Sequence, residues 1–173
     1  DWIPMGPETN PFTGTFDGQG HTINGLTSLC LFGYVGAGTT VRDLVFTNVS
    51  TILPPVAACV YGSVTAPTTF SNIQVNGTIS SDVISVSGLV GILRSTETEL
   101  PSSMKQSPEV IIENCTNNAS ASCVGYTRAA GFVVTVYGVN LVVRDCVNNG
   151  DLSVTNYTRE AHAGGIVGFI MHN

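Results

Sequence analysis

Apolar residues in this chain fall in short phrases centred on a small residue, and the phrases return. Leu31-Phe32-Gly33-Tyr34-Val35, Val60-Tyr61-Gly62-Ser63-Val64, Leu89-Val90-Gly91-Ile92-Leu93, Phe132-Val133-Val134-Thr135-Val136 and Ile166-Val167-Gly168-Phe169-Ile170 are spaced by 29, 29, 43 and 34 residues at their central position. A valine, Val134, stands where the others have glycine. A second phrase keeps step: Val41-Arg42-Asp43-Leu44, Phe70-Ser71-Asn72-Ile73, Ile112-Glu113-Asn114-Cys115 and Val143-Arg144-Asp145-Cys146, at intervals of 29, 42 and 31. Self-similarity at such a period is the mark of a repeat architecture. Each phrase is β-branched and aromatic, bounded by Gly, Asn and Ser, and too short for a helix. The repeating unit is therefore a coil of two or three short strands, and residues 1–173 form one domain.

The stretch from Phe12 to Leu26 adds Asp17-Gly18 and Gln19-Gly20, which predict a strand, a tight turn and a second strand. The phrase Phe-Thr-Gly-Thr-Phe-Asp-Gly-Gln-Gly-His-Thr-Ile at 12–23, followed by the glycine-centred and Asn-Cys phrases, resembles the GLUG-type repeats of secreted and surface proteins. The resemblance covers nearly the whole chain. It implies a right-handed parallel β-helix of about five coils, all-β, in which equivalent residues stack about 4.8 Å apart. The five anchors then give a rod about 24 Å long. Residues 94–108 are the extra length in the longest repeat; they hold Arg94, Glu97, Glu99 and Lys105 and predict a solvated loop. The apolar run from Ala129 to Val143 is too short and too rich in glycine to span a membrane, and reads as two strands of one coil.

Composition narrows the function. Charged residues are 10% of the chain and the net charge is −6 with a single lysine, Lys105, which argues against nucleic acid and anionic membranes as partners. Sequons at Asn48, Asn76, Asn114, Asn118 and Asn156 offer N-glycosylation in a secreted protein. Asn48, Asn76 and Asn118 fall just after the second phrase, at the turn of their coils. There they either carry sugar or form a hydrogen-bonded ladder. Asn114, inside the strand phrase, is the least suited.

The repeat sorts the five cysteines. Cys30 and Cys59 each precede an anchor glycine by three residues, and Cys115 and Cys146 each follow the Asn/Asp by one. Stacking at about 4.8 Å permits a Cys30–Cys59 and a Cys115–Cys146 disulfide by distance, while the parallel direction of stacked side chains favours buried thiols. Cys123 aligns with Val154 and is expected to be a buried thiol. No Cys and His cluster suggests a metal, and no cofactor motif appears. Asp17, Asp43, Glu113 and Asp145 are the carboxylates that a β-helix lyase or hydrolase would need, but Asp43 and Asp145 share their column with Asn72 and Asn114 and read as turn residues. His21, His162 and His172 are scattered through the repeat.

The expectation is a non-enzymatic extracellular structural protein that stacks end to end with copies of itself into a fibre. An adhesin or carbohydrate-binding module, using a strand face or the 94–108 loop, is the alternative; a polysaccharide lyase or hydrolase ranks third.

Overall fold

The computed structural model describes residues 2–95, 108–125, 128–155 and 160–171. Asn156, His172, Glu97, Glu99, Lys105 and most of the 94–108 segment lie outside them. Among the described residues the chain is all-β and contains no helix. Consequently none is long and apolar enough to cross a membrane.

In chain order the strands are β1 (Thr15–Asn24), β2 (Thr27–Ser28), β3 (Phe32–Val35), β4 (Thr40–Thr51), β5 (Ala57–Gly62), β6 (Thr68–Ser81), β7 (Val86–Ser87), β8 (Val90–Ser95) and β9 (Glu109–Glu113). There follow β10 (Thr116–Asn117), β11 (Ser120–Val124), β12 (Arg128–Ala130), β13 (Val133–Tyr137), β14 (Asn140–Arg144), β15 (Val147–Asn148), β16 (Leu152–Thr155), β17 (His162–Gly164) and β18 (Val167–Met171). They make three parallel sheets. The first is built on β1-β4-β6-β10-β15 with β2, β9, β11, β14 and β16 beside it; the second is β7-β12-β17; the third is β3-β5-β8-β13-β18. Each strand pairs with its equivalent one repeat away, which is what parallel pairing without crossover helices requires.

The second phrase stacks as the repeat predicts. Phe16, Val41, Phe70, Ile112 and Val143 form one column, and Asp17, Arg42, Ser71, Glu113 and Arg144 the next. The Asp/Asn that follows is left-handed at every level, with φ of 56° at Asp43, 53° at Asn72, 52° at Asn114 and 53° at Asp145. Asn and Asp tolerate this conformation better than other side chains. The residue turns the chain without ending its pairing, so β4 and β6 run 12 and 14 residues instead of breaking into short phrases.

Three expectations are corrected. Residues 15–24 form one strand, with a two-residue register shift between Asp17 and His21 where a tight turn was expected. Both flanks pair in parallel with β4, so the chain cannot reverse there. The run from Ala129 to Val143 falls in three strands, β12, β13 and β14, since Gly131 and Gly138 each break it.

The third correction concerns the second glycine anchor. The pairs Phe32↔Ala57, Tyr34↔Cys59 and Val35↔Val60 set Gly33 beside Ala58, and Ala57↔Val90 with Cys59↔Ile92 set Ala58 beside Gly91. The anchor column is therefore Gly33, Ala58, Gly91, Val134 and Gly168. Gly62 lies four residues further on, opposite Ser95. Small size is shared by four of the five levels, with Ala58 in place of a glycine at the second and Val134 the exception at the fourth.

The core is a set of aliphatic and aromatic columns. Phe32, Phe46, Phe70, Phe132, Ile73, Ile79, Leu89, Leu93 and Ile112 are fully buried. At one end the N-terminal segment lies across β3, through bridges Met5↔Phe32 and Phe12↔Val35, an indole bond from Trp2 Nε1 to the Cys30 carbonyl at 2.9 Å, and the packing of Phe12 on Phe32. At the other end, among the described residues, no strand pairs on the outer side of β14 to β18. There Val147, Ile166, Ile170 and Met171 are 51%, 37%, 54% and 41% exposed, whereas Val136, paired with Ile170 one repeat below, is buried.

Candidate functional site: the rim, the cysteines and an outer groove

The turn after each second phrase carries an asparagine rim. Asn48 Nδ2 donates to Asn24 Oδ1 at 2.8 Å, Asn118 Nδ2 to Asn76 Oδ1 at 2.9 Å, and Asn149 Nδ2 to Asn118 Oδ1 at 2.9 Å. Asn76 Nδ2 itself reaches the Phe46 carbonyl at 2.8 Å. Asn48, Asn114 and Asn118 are exposed and Asn76 is half-buried. The hydrogen-bonded ladder is thus present at the sequons of Asn48, Asn76 and Asn118; Asn48 and Asn118 donate to it from an amide that keeps one N–H when glycosylated, whereas Asn76 joins it as an acceptor.

A second asparagine pair lies one step inward and went unnoticed in the sequence. Asn117 is fully buried; its Nδ2 donates to the Ala119 carbonyl at 3.1 Å and to Asn148 Oδ1 at 2.8 Å, and its Oδ1 accepts from the Ala119 amide at 3.1 Å. A Cβ on Gly88 would sit 2.3 Å from that amide group, so glycine alone fits there. The signal was available as the doublets Asn117-Asn118 and Asn148-Asn149, 31 residues apart. Buried amides this fully paired lock the register of their strands.

The carboxylates singled out in the sequence are bound up in pairings along the columns. Asp17 holds Arg42 at 2.8 Å, Glu113 accepts from Arg144 Nε at 2.7 Å, and Asp43 accepts from Asn72 Nδ2. Asp145 occupies the same left-handed position as Asp43. His21 is exposed and His162 lies near Phe169. Among the described residues no three His, Cys, Asp or Glu side chains gather as a metal site.

Cys115 and Cys146 do share a column, following the paired Glu113 and Arg144 and preceding the paired Thr116 and Val147. The Cys115 amide donates to Cys146 Sγ at 3.5 Å, and the two thiols donate to the carbonyls of Glu113 and Arg144, each at 3.2 Å. This column holds Leu44 and Ile73 in the earlier levels, so cysteine replaces an aliphatic core residue. Burial pushes the Cys115 thiol up to about 12 and raises Cys146 as well. Cys123 does pair with Val154, and its thiol, raised by burial, donates to the Arg128 carbonyl at 3.4 Å. Cys30 and Cys59 do not share a column, because Cys59 lies across from Tyr34. The stacking argument for their bridge depended on the Gly62 anchor and goes with it.

A groove of about 370 Å³ runs over the third sheet. Its lining includes the small anchors Ala58 and Gly91, the loop residues Leu53, Pro54, Ile84 and Ser85, and the polar side chains of Tyr34, Arg94, Arg128, Thr135 and Tyr137. Arg94 stands in register between Tyr61 and Tyr137. The Arg128 guanidinium lies 4.0 Å above the Phe169 ring centroid and donates from Nη1 to Thr135 Oγ1 at 3.2 Å. Its Nε is buried and has no hydrogen-bond partner among the described residues. Burial and then the Glu8 carboxylate push the Tyr34 phenol up.

Comparison with protein-family models, curated proteins and solved structures finds no match for this chain.

Proposed function

We propose that the chain is a right-handed parallel β-helix of about five coils, of the GLUG-repeat kind, and that it is a non-enzymatic extracellular structural protein whose copies stack end to end. The supporting observation is a charged column with complementary ends. Asp17, Arg42, Ser71, Glu113 and Arg144 stand in one line, with ion pairs Asp17–Arg42 and Glu113–Arg144 inside it. Asp17 lies on the outermost strand at one edge of the sheet and Arg144 on the outermost strand at the other. A second copy set in register on β14 brings its own Asp17 beside Arg144 and continues the alternation of sign.

The asparagine rim continues in the same way, since Asn149 ends it at one edge and Asn24 at the other. Such a docking covers the exposed Val147, Ile166, Ile170 and Met171 and the unpaired strand edges, which otherwise invite uncontrolled pairing. The contact is heterologous, so it propagates into a fibre. Glycans on the exposed Asn48 and Asn118 would project from the rim and leave both ends clear. The carboxylates, engaged in ion pairs or set at left-handed turns, fit a structural role better than a catalytic one.

Sedimentation velocity on Arg144→Asp, Asp17→Arg and their mixture tests the reading. Wild type should polymerise with concentration and each single variant should stay monomeric, with an unchanged far-UV circular dichroism spectrum. The equimolar mixture should recover polymerisation as an alternating chain, because two of its four end pairings, each joining one variant to the other, are of opposite sign. A monomeric wild type at high concentration, or single variants that still polymerise, refutes end-to-end stacking.

A further inference from the structure

The geometry points to the groove over the third sheet as a binding site for an acidic saccharide, a sugar of about one or two rings bearing a carboxylate. Its volume of about 370 Å³ lies at the lower end of the range of small-molecule sites. The chemistry of its wall gives the class. Four arginines are described; Arg42 and Arg144 are held by Asp17 and Glu113. Arg94 and Arg128, the two that line the groove, have no carboxylate partner among the described residues.

In a chain of net charge −6, two guanidinium groups on one groove, neither in an ion pair with a carboxylate among the described residues, are a local concentration of the opposite sign. Arg128 sharpens the point. Among the described residues its Nε is desolvated without an acceptor, which is costly for a charged donor, and its guanidinium donates to a neutral hydroxyl. A carboxylate on the groove side would supply the missing negative charge, and guanidinium is the donor best shaped for it.

The remainder of the wall suits a sugar and does not suit a peptide. A peptide added as a strand needs a free sheet edge for its main-chain bonds. This groove lies on a sheet face, where β5, β8 and β13 already pair on both sides. What it offers are aromatic rings, at Tyr34 and Tyr137, and the hydroxyls of Ser85, Thr135 and the two tyrosines. Rings take the apolar face of a pyranose and hydroxyls take its polar edge. The Glu8 carboxylate beside Tyr34 marks where the positive stretch ends, so the acid group belongs at the Arg94 and Arg128 side. The small anchor column also acquires a use: Ala58 and Gly91 leave the floor low, and Val134 raises it at the next strand.

Isothermal titration of the intact chain with digalacturonate, lactose, glutarate and the dipeptide Glu-Glu decides it, with amide chemical-shift mapping to locate the site. Digalacturonate should bind, shifting the amides of Tyr34, Ile92, Arg94 and Thr135. Lactose should bind at least about tenfold more weakly, and glutarate and Glu-Glu likewise. Arg94→Gln should weaken digalacturonate about tenfold or more with an unchanged circular dichroism spectrum. Because Arg128 also packs on Phe169, its variant is Arg128→Lys, which keeps the charge, loses the fork and should weaken binding less than Arg94→Gln. Equal binding of lactose would remove the role of charge; equal binding of glutarate or Glu-Glu would remove the sugar. No saturation by digalacturonate, or full affinity in Arg94→Gln, overturns the site. None of these variants touches Asp17 or Arg144, so the result is independent of end-to-end stacking.

Discussion

Asn72 tests why Asp or Asn recurs at one position of every second phrase. It sits at φ +53°, is exposed, belongs to no sequon and donates its amide to the Asp43 carboxylate. An alanine there faces a left-handed penalty of about 1–2 kcal/mol and loses a surface hydrogen bond worth about 0.5–1.5 kcal/mol, so Asn72→Ala should cost about 2 kcal/mol. Asn72→Gly loses the same bond and adds unfolded-chain entropy but carries no left-handed strain, and should cost about 1 kcal/mol. Asn72→Val, with branching at Cβ, should cost more than alanine. Urea denaturation followed by circular dichroism gives the three differences. The expected order of stability is Asn, Gly, Ala, Val. If alanine matched or exceeded glycine, backbone conformation would not be what keeps Asp and Asn in this column. The case for Asp43 and Asp145 as turn residues would then fall too.

Two further perturbations read other parts of the structure. Gly91→Ala brings a Cβ to 2.3 Å from the Ala58 carbonyl oxygen, whereas Gly165→Ala meets nothing within 4 Å; denaturation midpoints should show a loss of about 1–3 kcal/mol for the first and almost none for the second. The Cys115 thiol, at about 12 against an ordinary 9.0, favours the neutral form in the fold. The stability it contributes is whole below about pH 9 and is lost as pH rises toward 12, by up to about 4 kcal/mol. Cys115→Ser should flatten that alkaline limb in a pH series of urea melts, and an unchanged limb would locate the loss elsewhere.

The second phrase was legible because its signal is chemical. A left-handed turn selects Asp or Asn, and an apolar residue on either side fixes the register, so Val41, Phe70, Ile112 and Val143 align from the sequence alone and stack as aligned. The anchor phrase was less legible because its signal is only small size. Gly62 matched the glycine pattern while Ala58 met the steric need, and pairing followed the need. Cys30 and Cys59 lost their shared column by the same error. The buried Asn117 was hidden for a different reason: an amide paired with its own strand looks, in sequence, like any loop asparagine. The groove could not be read at all, since Arg94, Arg128 and Tyr34 come from three repeats and meet only through the register.

That last point bears on where function can sit in such a fold. An inward residue packs against equivalents on both neighbouring levels, so a change there disturbs three levels together and the columns admit little beyond Val, Ile, Leu, Phe and an occasional Cys. The loop at 82–85 carries no such constraint, whereas the loop at 52–56 buries Val56 in the core, and both vary: successive members of the anchor column are separated by 25, 33, 43 and 34 residues. Leu53, Pro54, Ile84 and Ser85 from these loops form part of the groove lining, while Ala58 and Gly91 belong to the constant column. Exchanging the 82–85 loop should therefore change what the groove binds while leaving the melting midpoint nearly where it was. A large fall in stability from that exchange would mean that the loops hold the columns together, and that wall and scaffold are not separable.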